Sequence, residues 1–141
     1  MIKSKANNIL CQINLLRMKD YVSLRDACNY IGLPVDMLRQ LPSVEPINTK
    51  LPESQRDISY HLGKIKFFME NKIDVPIDID CFCRDGRVYN WPVIIDGRHR
   101  YIAALLRGDK LMPATFSGPS GLLDYLTYQS NNKPSYAGNI L

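Results

Sequence analysis

The chain has 141 residues, of which 45% are hydrophobic and 23% charged, and its formal net charge is +4. This length suits one domain with a single core. The composition excludes collagen-like, mucin-like and long disordered proteins, and no apolar run approaches the roughly 18 residues of a membrane span. The first 24 residues predict no signal peptide, because Gln12 and Asn14 interrupt their apolar positions.

The four cysteines, at positions 11, 28, 81 and 83, have neither the spacing of a metal site nor that of a disulfide framework. Their pattern predicts reduced thiols in a cytoplasmic protein without a membrane partner. The positive charge is unevenly placed: residues 1–30 carry five basic and two acidic side chains, and residues 84–110 carry six basic and three acidic side chains. This basic segment contains the most distinctive motif of the chain.

The N-terminal region predicts three helices. Residues 6–18 space their apolar side chains at i, i+3, i+4 and i+7, which is typical of an amphipathic helix. Ser23 is a favourable N-cap for a second helix over residues 24–30, and a third begins at Pro34 and runs through Leu41. Residues 1–41 are therefore predicted to form a helical N-terminal extension.

A proline-rich segment, residues 42–53, predicts an irregular loop before a longer helix over 54–71. Lys64 and Lys66 lie outside the expected buried stripe of this helix. The stripe itself consists of five apolar residues: Ile58, Leu62, Ile65, Phe68 and Met69.

Alternating apolar residues predict a half-buried strand over 75–83 and a returning strand over 88–95, joined by an Asp-Gly hairpin turn. Pro92 indicates an edge, a bulge or a break in the second strand. The expected elements after it are a helix over 98–107, a strand over 111–116 and a helix over 122–129, followed by a frayed polar tail.

This order of elements predicts an α+β fold with a small mixed sheet and packed helices. The expected domain, residues 42–117, follows the N-terminal extension. Residues 118–141 are expected to form a C-terminal helix and tail.

The junction between the second strand and the next helix combines Asp96 and Gly97 with Arg98, His99 and Arg100. Cations in a first helical turn oppose the helix dipole by roughly 0.3–1 kcal/mol each, so a bound anion would reverse the sign of this interaction. Gly97 would allow the backbone to approach a phosphate closely. The alternative stays open that Asp96 caps the helix and pairs with an arginine, with His99 hydrogen-bonded in the core.

The run from Asp96 to Ala104, followed by Gly108, resembles the signature of the ParB N-terminal/sulfiredoxin-like fold. The order helix, strand, strand, motif, helix and strand over residues 42–117 agrees with this resemblance. It implies a nucleotide site at Gly97, Arg98, His99 and Arg100, with CTP, ATP or ADP as candidate ligands and Mg²⁺ as a candidate companion.

Members of this superfamily differ in function, so the fold does not fix the activity. ParB proteins bind CTP and load onto DNA. Sulfiredoxins have a cysteine where this chain has Arg98, so the resemblance argues against sulfiredoxin activity. Proteins that resemble free-serine kinases carry an Asp-Gly-His-His-Arg motif, which differs here only at Arg98, and their base corresponds by position to Glu45.

Only 33 residues follow Gly108, too few for the two further domains of a chromosome-partitioning ParB. The resemblance therefore implies a stand-alone ParB-like domain of phage or plasmid type. Glu45, Asp96 and His99 are the candidate catalytic residues, and an enzyme would be a phosphotransferase or a nucleotide hydrolase. The alternative is a non-catalytic DNA-associated regulator or a protein-interaction factor. A homodimer and a separate protein partner both stay open.

Residues 23–39 have the rhythm of a helix-turn-helix, but Arg39 is the sole basic residue of the second helix, so a plain helical hairpin is favoured over DNA contact. His61 is interpreted as a surface or hydrogen-bonded histidine rather than a ligand. Gln55 and Arg56 offer either a further phosphate contact or a solvated helix start.

Two further patterns have a functional and a plain interpretation. Asp78 and Asp80 share one strand face and suit either Mg²⁺ or solvent. Tyr89 and Trp91 suit either stacking on a base or packing in the core.

Overall fold

The structure is a computed structural model that describes residues 5–140. The chain is a mixed α+β protein, as the sequence predicted. It forms two compact units from alternating segments. Within the described residues, the sheet unit comprises 5–22, 74–97 and 110–140, and the helical unit comprises 23–73 and 98–109. None of the helices within residues 5–140 is long and apolar enough to cross a membrane.

The sheet unit contains five strands: β1 (Lys5–Asn14), β2 (Ile77–Arg84), β3 (Arg87–Asp96), β4 (Leu111–Pro119) and β5 (Asn139–Ile140). Their order across the sheet is β1-β4-β2-β3-β5. The β2–β4 pair is parallel and the other three pairs are antiparallel. The β2–β3 hairpin and its Asp-Gly turn are confirmed. Of the three alternatives at Pro92, the structure shows a bulge-like shift of register next to the Cys81–Pro92 pair, and β3 is not broken there.

Two short helices, α1 (Leu15–Met18) and α5 (Ser120–Leu126), belong to the sheet unit. Asn14 caps α1 by accepting a hydrogen bond from the N–H of Arg17. The unit buries apolar side chains from strands and helices alike: Ile13, Leu15, Met18, Ile77, Ile79, Phe116, Leu122 and Leu126. Each contributes about 1.5–3 kcal/mol of burial free energy.

The prediction of a helix over residues 6–18 is wrong, because residues 5–14 form β1. The apolar side chains of this segment fit the period of a helix as well as that of a strand, but the segment forms a strand because it pairs with β4. Ile13 is buried opposite Met112, whereas Leu10 is 68% exposed. A bulge at Asn8, whose φ is 47°, interrupts the alternation, and Ser117 bonds to it. The N-terminal extension is therefore not helical throughout.

The helical unit contains α2 (Leu24–Tyr30), α3 (Ile58–Glu70) and α4 (Arg98–Arg107), with 3₁₀ helices at Val35–Ser43 and Glu53–Gln55. The predictions of α2 and α4 are confirmed. The helix expected from Pro34 to Leu41 is a 3₁₀ helix that includes Pro42. The predicted boundary at residue 41 falls inside this unit.

The predicted start of α3 at Ser54 is wrong by four residues, because Asp57 caps the helix by accepting a hydrogen bond from the N–H of Tyr60. The predicted stripe is correct for Leu62 and Ile65, which are buried. It is wrong for Ile58, which is 37% exposed.

The C-terminal tail was expected to be frayed, but the structure attaches residues 135–140 to β3. The buried Asn90 side chain donates hydrogen bonds to the carbonyls of Ser135 and Ala137 at 2.7 and 3.3 Å. Tyr136 stacks on Tyr89, and β5 pairs with β3. A polar sequence alone did not reveal this attachment, because the hydrogen bonds use main-chain carbonyls.

Candidate functional site

Helix α4 begins at Arg98, directly after Gly97, whose φ of 97° lies in a region that favours glycine. Arg98, His99 and Arg100 occupy the first turn, which contains no acidic residue. All three side chains are partly buried. The predicted arrangement of cations at the start of this helix is therefore present.

His99 contacts His61, a residue of α3. Nδ1 of His61 lies 2.9 Å from Nε2 of His99, a hydrogen-bond distance. The ring planes differ by 18° and the ring centroids are 5.2 Å apart, so the two rings meet edge to edge. Tyr60 packs its ring perpendicular to that of His99. His61 is only 8% exposed, which confirms the interpretation as a hydrogen-bonded histidine.

Burial is the main reason that the pKa of His99 falls to about 3. His61, Lys64, Arg56 and Arg98 lower this pKa further by electrostatic repulsion, in that order. Burial and Arg56 also lower the pKa of His61, against an opposing effect of Asp57. Both rings are consequently neutral at pH 7.

Lys64 was expected to lie outside the buried stripe of α3, yet its side chain is only 8% exposed. Its ammonium group donates to the carbonyl of Asn48 at 3.0 Å and lies 5.1 Å from the ring centre of Phe68. Burial, followed by repulsion from Arg56 and Lys50, lowers its pKa. The structure therefore places a partly desolvated cation near His99.

Two arginines complete the cationic surroundings of His99. Arg98 holds its guanidinium 4.2 Å from the ring centre of Tyr30. Arg56 donates from Nε to the carbonyl of Leu51 at 2.8 Å. Each contact restrains a cation and leaves other N–H groups of the guanidinium to bind a ligand.

An open cleft of about 470 Å³ lies beside His61. Its lining combines apolar, charged and hydroxyl-bearing residues of the helical unit: Ile31, Gly32, Arg56, Asp57, Ile58, Ser59 and His61. The cleft therefore offers a ligand both an apolar wall and polar groups.

The other two candidate catalytic residues, Glu45 and Asp96, belong to different units of the chain. Glu45 is exposed, in a segment attached to α3 by the hydrogen bond from the N–H of Ile47 to the carbonyl of Gly63. Asp96 belongs to the sheet unit, where it pairs with Asp78 across β2 and β3. His99 lies in the helical unit with Arg56, Lys64 and Arg98, which we call the cationic cluster.

Sequence reasoning missed the partnership of His61 with His99 and the burial of Lys64. The two histidines are 38 residues apart, and no local pattern reports such a contact. The weak signal for Lys64 was its position next to Gly63, where a close approach of another segment buries the helix surface.

The strand residues that had both a functional and a plain interpretation can now be placed. Asp78 accepts a hydrogen bond from Thr115, and Asp80 is exposed. Within residues 5–140, no three His, Cys, Asp or Glu side chains are placed to hold a metal ion together. Trp91 is 38% exposed and meets the rings of Tyr21 and Tyr136 edge-on.

Comparison with known proteins gave no match to a protein-family model, to a curated protein or to a solved structure.

Proposed function

We propose that the chain binds the phosphates of a nucleotide at the start of α4. One observation carries the proposal: the first turn of α4 holds Arg98, His99 and Arg100 and no acidic residue, and Arg56 and Lys64 lie close enough to repel a positive charge on His99. They add to the partial positive charge of the helix N terminus. An anion bound there would relieve the repulsion among these groups, and phosphate has both the charge and the oxygen acceptors to do so.

The resemblance to the ParB N-terminal/sulfiredoxin-like superfamily supports a nucleotide rather than a simpler anion. The chain follows the element order that the resemblance implies, from α3 through β2, β3 and α4 to β4. Gly97, Arg98, His99 and Arg100 would hold the phosphates. CTP, ATP and ADP are the first ligands to test, each with and without Mg²⁺, in a protein that we place in the cytoplasm.

Phosphoryl transfer or nucleotide hydrolysis is the reaction class that this site favours, because positioning and charge stabilisation carry most of such catalysis. His99 would orient a phosphate oxygen. Glu45 and Asp96 are the candidates for a base or a metal contact. Phosphate release or transfer is then expected to disappear in Glu45→Ala, with far-UV circular dichroism unchanged.

The proposal is tested by the thermal unfolding midpoint of the purified protein with each nucleotide and with inorganic tripolyphosphate. A ligand at 100 times its dissociation constant adds about 2.7 kcal/mol, which is a shift of several degrees. The shift should be lost in Arg98→Ala. It should persist in Arg39→Ala, which removes an exposed arginine of the same unit outside the cluster.

Failure of every nucleotide and of tripolyphosphate to raise the midpoint would contradict the proposal. If instead DNA binds with a steep salt dependence and Arg25→Ala or Arg39→Ala weakens it, the alternative of a DNA-associated regulator is favoured.

A further inference from the structure

His61 and His99 are the two histidines of the chain, and a single hydrogen bond joins them. A neutral imidazole carries one N–H and one lone pair. If the shared proton is on His99 Nε2, then His61 carries its own proton on Nε2. If it is on His61 Nδ1, then His99 carries its own on Nδ1. The bond therefore requires both rings to have the same tautomer, and a change in one ring must be matched in the other.

The outer nitrogens of the pair, His61 Nε2 and His99 Nδ1, make no hydrogen bond to another group within residues 5–140. Among the described residues, the Tyr21 hydroxyl is the one side-chain N or O atom that is both fully buried and without a hydrogen-bond partner. Because the two outer nitrogens also have no partner, they are not fully buried. His61 also lines the cleft. Both outer nitrogens therefore retain some contact with solvent, and His61 can also meet a ligand in the cleft.

We propose that His61 and His99 form a proton relay between the start of α4 and the cleft beside His61. His99 Nδ1 accepts a proton from solvent or a ligand, and a new N–H bond forms there. The N–H bond at His99 Nε2 breaks as its proton passes to His61 Nδ1. The N–H bond at His61 Nε2 then breaks and releases one proton into the cleft. One proton enters, one leaves, and both rings end neutral.

The charges around the pair favour this neutral relay over a long-lived imidazolium. Arg56, Lys64 and Arg98 repel a positive charge on the rings, and Asp57 is the acidic group that opposes them at His61. Relay through neutral tautomers avoids holding an additional positive charge in the cluster.

The relay gives His61 a role that rests on the proposed function. A phosphate oxygen at the start of α4 would accept a hydrogen bond from His99 Nδ1–H and so favour that tautomer. His61 must then also carry its proton on Nδ1, which leaves a lone pair on Nε2 at the cleft. Anion binding at His99 thereby makes His61 a proton acceptor in the cleft. His61 acts as a positioning residue for His99 and as the base for a cleft ligand.

Two-bond ¹H–¹⁵N correlation spectra of the uniformly ¹⁵N-labelled protein test the relay directly, since the spectrum contains just two imidazole rings. At pH 7 we expect both rings to be neutral, to share one tautomer ratio and to show a scalar coupling between His61 Nδ1 and His99 Nε2. Opposite tautomers, or the absence of this coupling, would overturn the relay whether or not any nucleotide binds.

Addition of inorganic tripolyphosphate provides the second arm. We expect the tautomer populations of both rings to move together toward Nδ1–H. Movement of His99 alone would refute the relay and leave the phosphate site intact. If calorimetry detects no binding of tripolyphosphate or of any nucleotide, the proposed function fails, and the ligand-free spectra still decide the relay.

Two variants separate the hydrogen bond from the surrounding ring packing. Tyr60→Phe keeps the aromatic ring that packs against both histidines and should preserve their joint response. In His61→Leu, we expect the scalar coupling at His99 Nε2 to disappear, while tripolyphosphate still shifts the tautomer population of His99. Persistence of the joint response in Tyr60→Phe would support transmission through the bond. Its loss, with the fold intact, would argue against it.

Discussion

At the scale of single residues, His99 makes stability depend on pH. The pKa of His99 is about 3 when folded and has its ordinary value of 6.5 when unfolded. The unfolded chain therefore binds the proton more readily below pH 6.5, and the folded state loses stability as pH falls. The contribution of His99 to the free energy of unfolding is fully present above pH 6.5 and declines steadily as the pH falls from 6.5 toward 3.

We expect the free energy of unfolding to fall by about 2 kcal/mol more in the wild type than in His99→Gln between pH 7 and pH 5. Urea denaturation at several pH values measures both curves. Carboxylates common to both proteins cancel in the difference. Parallel curves for the two proteins would show that His99 does not carry the dependence.

A second residue-scale prediction concerns Gly63 on α3. A Cβ atom at this position would lie 2.5 Å from the side chain of Ile47 and 3.0 Å from the carbonyl oxygen of Glu45. Gly63→Ala should therefore push this segment outward and destabilise the protein by roughly 1–3 kcal/mol, as overpacking does. Equilibrium urea unfolding gives the change.

Gly121→Ala is the matched control, because a Cβ at Gly121 meets no atom within 4 Å. Alanine is favoured over glycine in a helix by about 1 kcal/mol, so this variant should be neutral or slightly more stable. Adding Ile47→Ala to Gly63→Ala should recover part of the loss. Equal effects at both glycines would refute the close approach.

At the scale of elements, Asn90 on β3 holds the C-terminal segment. Its amide N–H groups point at two carbonyl oxygens, so Asn90→Asp would replace a donor with a carboxylate that cannot donate when ionised. We expect a loss of about 1–3 kcal/mol and release of residues 135–140. The fluorescence of Trp91, the single tryptophan, should shift to the red as Tyr136 leaves its side.

Asn7→Asp introduces the same charge at an exposed position of β1 and should leave the emission unchanged. Amide exchange of residues 135–140 provides an independent measurement. Preserved protection in Asn90→Asp would show that β5 pairing and the stacking of Tyr136 on Tyr89 hold the segment without Asn90.

The elements also show what local sequence can predict. Helix α4 was predicted with correct bounds because Gly97 and Gly108 flank a continuous helical pattern. Strand β1 was mistaken for a helix because the exposed Leu10 and Leu16 complete a helical spacing with Ile9 and Ile13. Its true period depends on β4, about a hundred residues further along the chain.

The candidate site also contains residues that local sequence could predict and residues that it could not. Arg98, His99 and Arg100 follow one another and could be recognised from their conflict with the helix dipole. The approach of Lys64 and His61 depends on how α3 packs against α4, and tertiary contacts of this kind leave no trace in spacing.

At the scale of the whole molecule, neither compact unit is a continuous piece of chain. In chain order, β2 and β3 of the sheet unit precede α4 of the helical unit, and α4 precedes β4 of the sheet unit. Each unit therefore lacks an essential element until the chain has passed through the other.

A truncation series should reveal this interdependence. A chain ending at residue 109 lacks β4, the strand that pairs with both β1 and β2, and we expect it to lose cooperative unfolding. A chain ending at residue 130 keeps the four-strand order β1-β4-β2-β3 and should retain a cooperative transition at a lower midpoint. Circular dichroism during heating distinguishes them. A cooperative transition in the shorter chain would contradict the expectation.

The pairing of β1 with β4 also has a consequence for biosynthesis. The ribosome produces β1 among the first residues of this sequence and its partner only near residues 111–119. With translation at about 5–20 residues per second, β1 waits roughly 5–20 s without that partner. During this time Ile13, which is fully buried in the folded protein, stays uncovered, and transiently exposed apolar side chains of this kind bind chaperones and promote aggregation.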